Sequence, residues 1–238
     1  MLKRTFEATR FYGHDFDDAA RYALWLESRG LPGISSVLQE AEVLSSRVST
    51  SPAMNIEENG GYDIDCRGMS LFDVVLPATD LAISAARRKG LGHVRISGSS
   101  GPLAIMPSVS RGSELGYATA AWWFDEHDER VHVARAKGEG EDPDYAVLDS
   151  DHPGNPNSVE FICSSAFEQL QRLVPDAVNF GKGDELVQLI TGAEFEKRFK
   201  ASVDQGIQVS EDEYRSLCEI ADRVLVESNE QSRRGAGS

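Results

Sequence analysis

Between residues 93 and 148 the chain carries five short apolar runs of four to eight residues, and on either side the apolar spacing is helical. Short apolar runs bounded by turn residues suit strands, whereas apolar residues three and four apart suit helices. A chain with strands in its middle and helices at both ends has few ways to bury its apolar faces. The helices must cover a central sheet. The runs are residues 93–96, 103–106, 117–124, 130–134 and 145–148. Alternation is clearest at 130–135, where Val131 and Val133 point to a core and His132 to the opposite side.

The flanks read as follows. Phe16, Ala20, Ala23, Leu24 and Leu26 have helical spacing behind the acidic capping residues Asp15 and Asp17, and Gly30 and Pro32 stop that helix. The spacing of Val37, Leu38 and Ala41 predicts a second helix over 34–44, so the pair forms a helical hairpin with a very short connection. Residues 45–61 read as a loop. A helix over 78–89 turns Leu81, Ala82 and Ala85 inward and ends on Arg87, Arg88 and Lys89, where the helix dipole favours cations. Residues 125–129 read as a hairpin loop, 138–144 as an acidic linker and 151–157 as another loop.

Short helices are expected over 166–173 and 185–190. A longer one over 194–203 has Phe195, Phe199 and Val203 on one stripe. Ser210 and Glu213 have capping-box spacing, opening a helix with Tyr214, Leu217, Ala221 and Val224 inward. The expected fold is α/β or α+β, with a helical hairpin at the N-terminus, a central mixed β-sheet and C-terminal helices. It is expected as a single domain over 1–238: a helical region 1–46, a sheet core 62–164, a second helical region 165–228 and a mobile tail 229–238.

Charge narrows the function class. Lys and Arg number 24 against 39 Asp and Glu, a net charge of −15. That imbalance opposes nucleic acid and anionic membrane surfaces as partners. No apolar run approaches the ~20 residues that span a bilayer. The basic residues near Met1 lack the apolar stretch of a secretory signal, so a cytoplasmic location is expected. Cys66, Cys163 and Cys218 are odd in number and have no CxxC spacing, which indicates buried reduced thiols rather than disulfides or zinc.

Several residues are candidates for chemistry. The loop Ser97, Gly98, Ser99, Ser100, Gly101 follows a predicted strand, and small residues there can turn backbone N–H groups toward a phosphate or carboxylate. It matches neither GxGxxG nor the P-loop, and a plain Gly/Ser turn is the alternative. His93 and His132, at strand positions, are candidate general acids or bases. His127 and His152 fall in acidic loops, and no histidine spacing is that of a metal site. Arg95 and Arg111, among four arginines around the sheet segments, are candidates to pair a carboxylate bidentately. No serine lies in GxSxG. Of Trp122 and Trp123, one belongs in a core and the other at a surface.

Two resemblances add to this. Residues 17–33, DDAARYALWLESRGLPG, and the closing stretches 217–228 and 232–237 resemble a bacterial family known as a domain of unknown function, with chains of about this length. Residues 78–96, ATDLAISAARRKGLGHVRI, resemble a helix–strand segment of the malate/L-lactate/sulfolactate dehydrogenase family. In that family the strand leads to an active-site loop with a histidine and a glycine; here the loop is Ser97 to Gly101. The family's Asp-Ser-His-Gly motif is replaced by Arg29, Gly30, Leu31, Pro32 and Gly33.

The second resemblance implies a small-molecule enzyme of bacterial metabolism with NAD(P) as its cofactor. In that reading residues 97–101 hold an anionic group, Arg95 or Arg111 pairs a substrate carboxylate, and His93 or His132 moves a proton. The absent histidines leave an alternative, a non-catalytic binding or partner subunit. A homodimer, the commonest symmetric assembly, or a complex with a partner enzyme is expected.

Overall fold

The structure, a computed structural model, describes residues 1–9, 15–46, 51–58, 60–125, 128–149, 158–174 and 186–224. The strands are β1 (Ala53–Ile56), β2 (Tyr62–Asp65), β3 (Leu91–Ser97), β4 (Ala118–Asp125), β5 (Arg130–Ala136), β6 (Asp144–Leu148), β7 (Ser158–Ser164) and β8 (Leu186–Ile190). They form one mixed sheet in the order β1-β2-β3-β7-β4-β5-β6-β8. The β2–β3 pair is parallel and is joined by a crossover helix; the other pairs are antiparallel.

The helices are α1 (Leu2–Ala8), α2 (Asp15–Ser28), α3 (Gly33–Ser45), α4 (Leu71–Lys89), α5 (Met106–Glu114), α6 (Phe167–Leu173), α7 (Gly192–Gln205) and α8 (Glu211–Ala221). The fold expected from sequence is therefore present: a helical hairpin α2–α3, a mixed central sheet and C-terminal helices. The predicted capping box opens α8, where the Ser210 hydroxyl accepts from the Glu213 N–H and the Glu213 carboxylate accepts from the Ser210 N–H. Glu213 also accepts from the Ser35 hydroxyl at 2.7 Å, which ties α8 to α3.

Side chains alternate across the pleat, so the central strands serve two cores. Val94, Ile96, Ala121, Trp123, Ala134, Phe161 and Cys163 join Leu26, Val37, Phe72 and Ala82 from α2, α3 and α4 in the larger one. Ala118, Ala120, Val131, Val133, Ala146 and Ile162 form a smaller one with Leu170 of α6. Phe6, Phe72 and Phe161 are fully or almost fully buried, each contributing about 1.5–3 kcal/mol of transfer free energy. Cys66 and Cys163 are buried free thiols and Cys218 is half-buried. Burial pushes the Cys66 and Cys163 thiols up to about 12, Cys66 with help from the neighbouring Asp65 and Asp63 charges.

The structure corrects several sequence-level expectations. Residues 103–106 are not a strand: Pro102–Ile105 is a 3₁₀ turn that runs into α5, with a proline near the start of each. Ala104, Ile105 and Met106 are fully buried, and a short buried apolar run has no periodicity that separates strand from helix. Residues 186–190 are strand β8 rather than a short helix, because they pair with β6. Strands β1, β2 and β7 and helix α1 were not anticipated, and α4 begins at Leu71 rather than residue 78. Tyr214 is exposed rather than inward, and of the stripe on 194–203 Phe195 is buried while Phe199 and Val203 are exposed. Residues 151–157, the tail beyond 229, His14, His127 and His152 lie outside the described residues.

One close contact sets the packing of the crossover. A Cβ built on Gly92 of β3 would lie 1.9 Å from the Ala82 carbonyl oxygen of α4, so only glycine lets helix and strand meet there. The Gly92→Ala variant is expected to lose about 3 kcal/mol of stability, since neither backbone can yield without disturbing a filled core. Urea unfolding of the two proteins measures this, and a loss below about 1 kcal/mol would contradict the contact.

Candidate active site

Where β3 ends, the chain turns through Ser99, Ser100 and Gly101 before Pro102, and this turn shares a cavity with residues of α3, β4 and β5. The space between them is a two-lobed cleft. One lobe, of 240 Å³, is lined by Leu31, Gln39, Glu40, Leu103, His132 and Tyr145 among others. The other, of 610 Å³, is bounded by Ser99, Ser100, Phe124, Ser158 and Val159. Gln39, Glu40, Gly101, Pro102, Trp123 and Asp125 border both.

The wall of the cleft is built by strand parity. Trp123 of β4 lies opposite His132 of β5, and Tyr145 is on β6, the next strand across. Trp123 stacks on both other rings, with centroids 5.2 Å apart at 13° to His132 and 6.2 Å apart at 20° to Tyr145, while His132 and Tyr145 are tilted to each other at 32°. Trp123, His132 and Tyr145 are each less than a tenth exposed.

A polar chain runs through this wall. The Tyr145 hydroxyl is 2.6 Å from His132 Nδ1. His132 Nε2 is 3.1 Å from the nearer carboxylate oxygen of Asp128. An ionised carboxylate only accepts, so Nε2 carries the proton of the neutral imidazole, and Nδ1 accepts from the phenol. Burial, reinforced by the Asp128 and Asp125 charges, raises the Tyr145 phenol above its ordinary range. It therefore stays protonated at neutral pH and is a proton donor. Asp125, Asp128 and His132 also bring one ligand atom each within 4.8 Å of one another, the donor types of a divalent-cation site.

Opposite the aromatic wall is Glu40 of α3, a carboxylate only 7% exposed. Its Oε2 accepts from the Ser100 hydroxyl at 2.5 Å. Gly101 makes room for it: with φ at +68°, a Cβ there would be strained and would press on the Glu40 carboxyl at 3.1 Å.

The residues singled out from sequence separate into three places. His132, Ser99, Ser100 and Gly101 meet at the cleft. Ser97 and Gly98 precede it and hold the neighbouring segment, their carbonyls accepting from the Cys66 and Gly68 N–H groups. His93 and Arg95 share the parity of β3 opposite to Val94 and Ile96, so they lie on the other face of the sheet. There both reach Glu160 of β7, at 2.6 Å each, and Arg95 also pairs with Glu57 at 3.2 Å. Arg111 is on α5, half-exposed and paired with Asp80 at 2.9 Å. Neither arginine lines the cleft. Sequence reasoning missed Glu40, Asp128 and Tyr145; the only signal for Tyr145 was its place at the head of an apolar run.

The cleft does not fit the dinucleotide that the dehydrogenase resemblance implies. Among the described residues bordering it none is Lys or Arg, and its charged members Glu40 and Asp125 are acidic. The loop amide of Ser100 is already given to the Met69 carbonyl and its hydroxyl to Glu40. A pyrophosphate would meet repulsion with no cation and few free N–H groups to hold it.

No family model and no curated protein matches the chain. Solved structures do. The chain is similar to a malate dehydrogenase from Pyrococcus horikoshii OT3 at 14% identity and a TM-score of 0.63, over 95% of this chain and 93% of that one. It is similar to the sulfolactate dehydrogenase of Methanocaldococcus jannaschii at 12% identity and 0.60, over 93% and 94%. A Δ1-piperideine-2-carboxylate reductase from Pseudomonas syringae matches at 12% and 0.56, over 92% and 96%. The chain shares their fold. These matches support the dehydrogenase-like scaffold read from residues 78–96 and add nothing to the other bacterial resemblance.

The network on the opposite face has a testable pH signature. Burial pushes the Glu160 carboxyl up, but hydrogen bonds from His93 and Arg95 and their charges outweigh it and leave the group below its ordinary 4.5. A depressed folded-state pKa contributes stability above the unfolded value, lost as pH falls through the folded one. Glu160→Gln is expected to lose about 2 kcal/mol at pH 7. The deficit should shrink as pH drops below 4.5, where the parent carboxylate takes up its proton; stability measured by denaturant across that range checks it. A deficit constant with pH would contradict the assignment.

Proposed function

We propose that the protein is a small-molecule enzyme of bacterial metabolism, built on a scaffold shared with malate and lactate dehydrogenases, that performs acid–base chemistry in the Trp123 cleft. The observation that carries this is the chain from Tyr145 through His132, both buried in the wall of the cleft, to the exposed carboxylate of Asp128. Proton transfer is what such a chain does well. A phenol held protonated by burial gives up its proton only to a group developing negative charge in front of it. His132 works as a relay: Nδ1 takes the phenol proton as the phenol oxygen takes one from the substrate, and hands it back as the phenol delivers its proton to another substrate atom. Asp128 stabilises the imidazole while it carries positive charge and fixes which nitrogen faces Tyr145. Burial of Tyr145 and His132 strengthens the contact between them.

The fold alone does not carry the hydride chemistry of its structural neighbours. The cleft's acidity separates it from a dinucleotide site, so the proposed reaction needs only proton movement within the substrate, as in tautomerisation or epimerisation. Ser99, Ser100 and Gly101 shape the substrate end of the cleft in this reading, and His132 is the catalytic relay residue. His93, Arg95, Ser97, Gly98 and Arg111 serve the fold.

Solvent-deuterium incorporation tests the proposal before any substrate has been identified. The protein is incubated in D₂O with pooled small carbonyl compounds, imines, amines and hydroxy acids, and products are read by mass spectrometry. At least one compound is expected to gain deuterium in an enzyme-dependent way, and Tyr145→Phe should slow this by about 10²-fold or more. Incorporation that survives Tyr145→Phe at the parent rate would overturn the assignment of the proton donor.

A further inference from the structure

We infer that the cleft takes an organic cation, a small molecule bearing a protonated amine or amidine, with Glu40 as its counter-ion. This rests on the cleft being the working site, as proposed above. Three observations carry it. The first is the state of Glu40. It is more than nine-tenths buried, Oε2 holds the Ser100 hydroxyl at 2.5 Å, and Oε1 has no hydrogen-bond or ion-pair partner among the described residues, yet is not one of the fully buried unpartnered atoms, so it opens to the cleft. A carboxylate oxygen open to a cleft, with no cation beside it, is placed to accept a charge-assisted hydrogen bond from a positively charged ligand.

The second observation is where that oxygen stands. Glu40 borders both lobes of the cleft, and Gly101 leaves open the space a side chain would take beside Oε1. The third is the character of the remaining walls. Trp123 and Tyr145 bring aromatic rings, and a cation gains from the negative face of such rings in a way an anion does not. Asp125 stands on the border of the same space, and no Lys or Arg among the described residues lines it. A carboxylate or phosphate ligand would be repelled from this space. An ammonium group would complete it, donating to Oε1 while its carbon skeleton lies against the aromatic wall within reach of the Tyr145 hydroxyl.

The test uses the intact protein and ligands matched in shape but not in charge. Pentylamine, piperidine, agmatine and benzylamine are compared with pentanol, valerate and benzoate by thermal shift and by tryptophan fluorescence, with Trp123→Phe as the control for the reporting ring. At least one amine should raise the melting temperature and perturb Trp123, while the carboxylates of the same size do neither. Glu40→Gln should weaken amine binding at least tenfold. It should also melt close to the parent temperature without ligand, because the glutamine oxygen can still accept from the Ser100 hydroxyl.

Carboxylates or alcohols binding as well as amines would overturn the inference while leaving the cleft as a ligand site. Amine binding unchanged in Glu40→Gln would overturn Glu40 as the counter-ion. If no charge class perturbs Trp123, the cleft reading falls together with the inference. The charge-class comparison needs no variant, so a Glu40→Gln protein that does not fold leaves the inference open to refutation.

Discussion

The sheet exists as one sheet because β7 lies between β3 and β4. On one side Ser158–Ser164 pairs antiparallel with all of β3, from Leu91 opposite Ser164 to Ser97 opposite Ser158. On the other it pairs with β4, from Ala118 opposite Ser164 to Trp123 opposite Val159. No direct ladder joins β3 to β4, so the β1–β3 half and the β4–β8 half meet only through this strand. Both contacts are distant in sequence, and their loop-closure entropy has to be offset by burial of Val159, Phe161 and Cys163 in one core and Ile162 in the other.

That central register also decides which side chains can work together. A strand sends neighbouring residues to opposite faces, so one shared parity brings Trp123, His132 and Tyr145 to the face covered by α2 to α5. The opposite parity sends His93, Arg95 and Glu160 to the other face. Two histidines that look equivalent in the sequence thus have unrelated surroundings: His93 is bound to Glu160 in a structural ion cluster, while His132 links a buried phenol to a carboxylate beside a cleft. The acidic and aromatic lining of that cleft then sets it apart from a dinucleotide site, whatever the fold around it.

Much of the fold was legible from local patterning. The α2–α3 hairpin, the crossover helix ending at Lys89 and the capping box at Ser210 and Glu213 all announce themselves through apolar spacing and cap chemistry. β5 did so through the alternation of Val131, His132 and Val133. β7 did not, because both its faces are buried and its residues lack alternation. The run 103–106 misled for a related reason: four consecutive apolar residues, three of them buried, look alike in a strand and in a 3₁₀ turn. The site was less legible still. His132 was visible as a strand histidine, but Glu40 reads as an ordinary helix glutamate, and only tertiary structure buries it against Ser100 and Gly101.

The state of His132 is the most direct test of a proton chain through the cleft wall. Nuclear magnetic resonance of the histidine-labelled protein near neutral pH reports which ring nitrogen carries the proton. A single tautomer is predicted, with the proton on Nε2 held by Asp128, and the Nδ1 resonance should shift in Tyr145→Phe as its hydrogen bond is lost. An imidazole that averages freely between tautomers, or one indifferent to Tyr145→Phe, would contradict the chain.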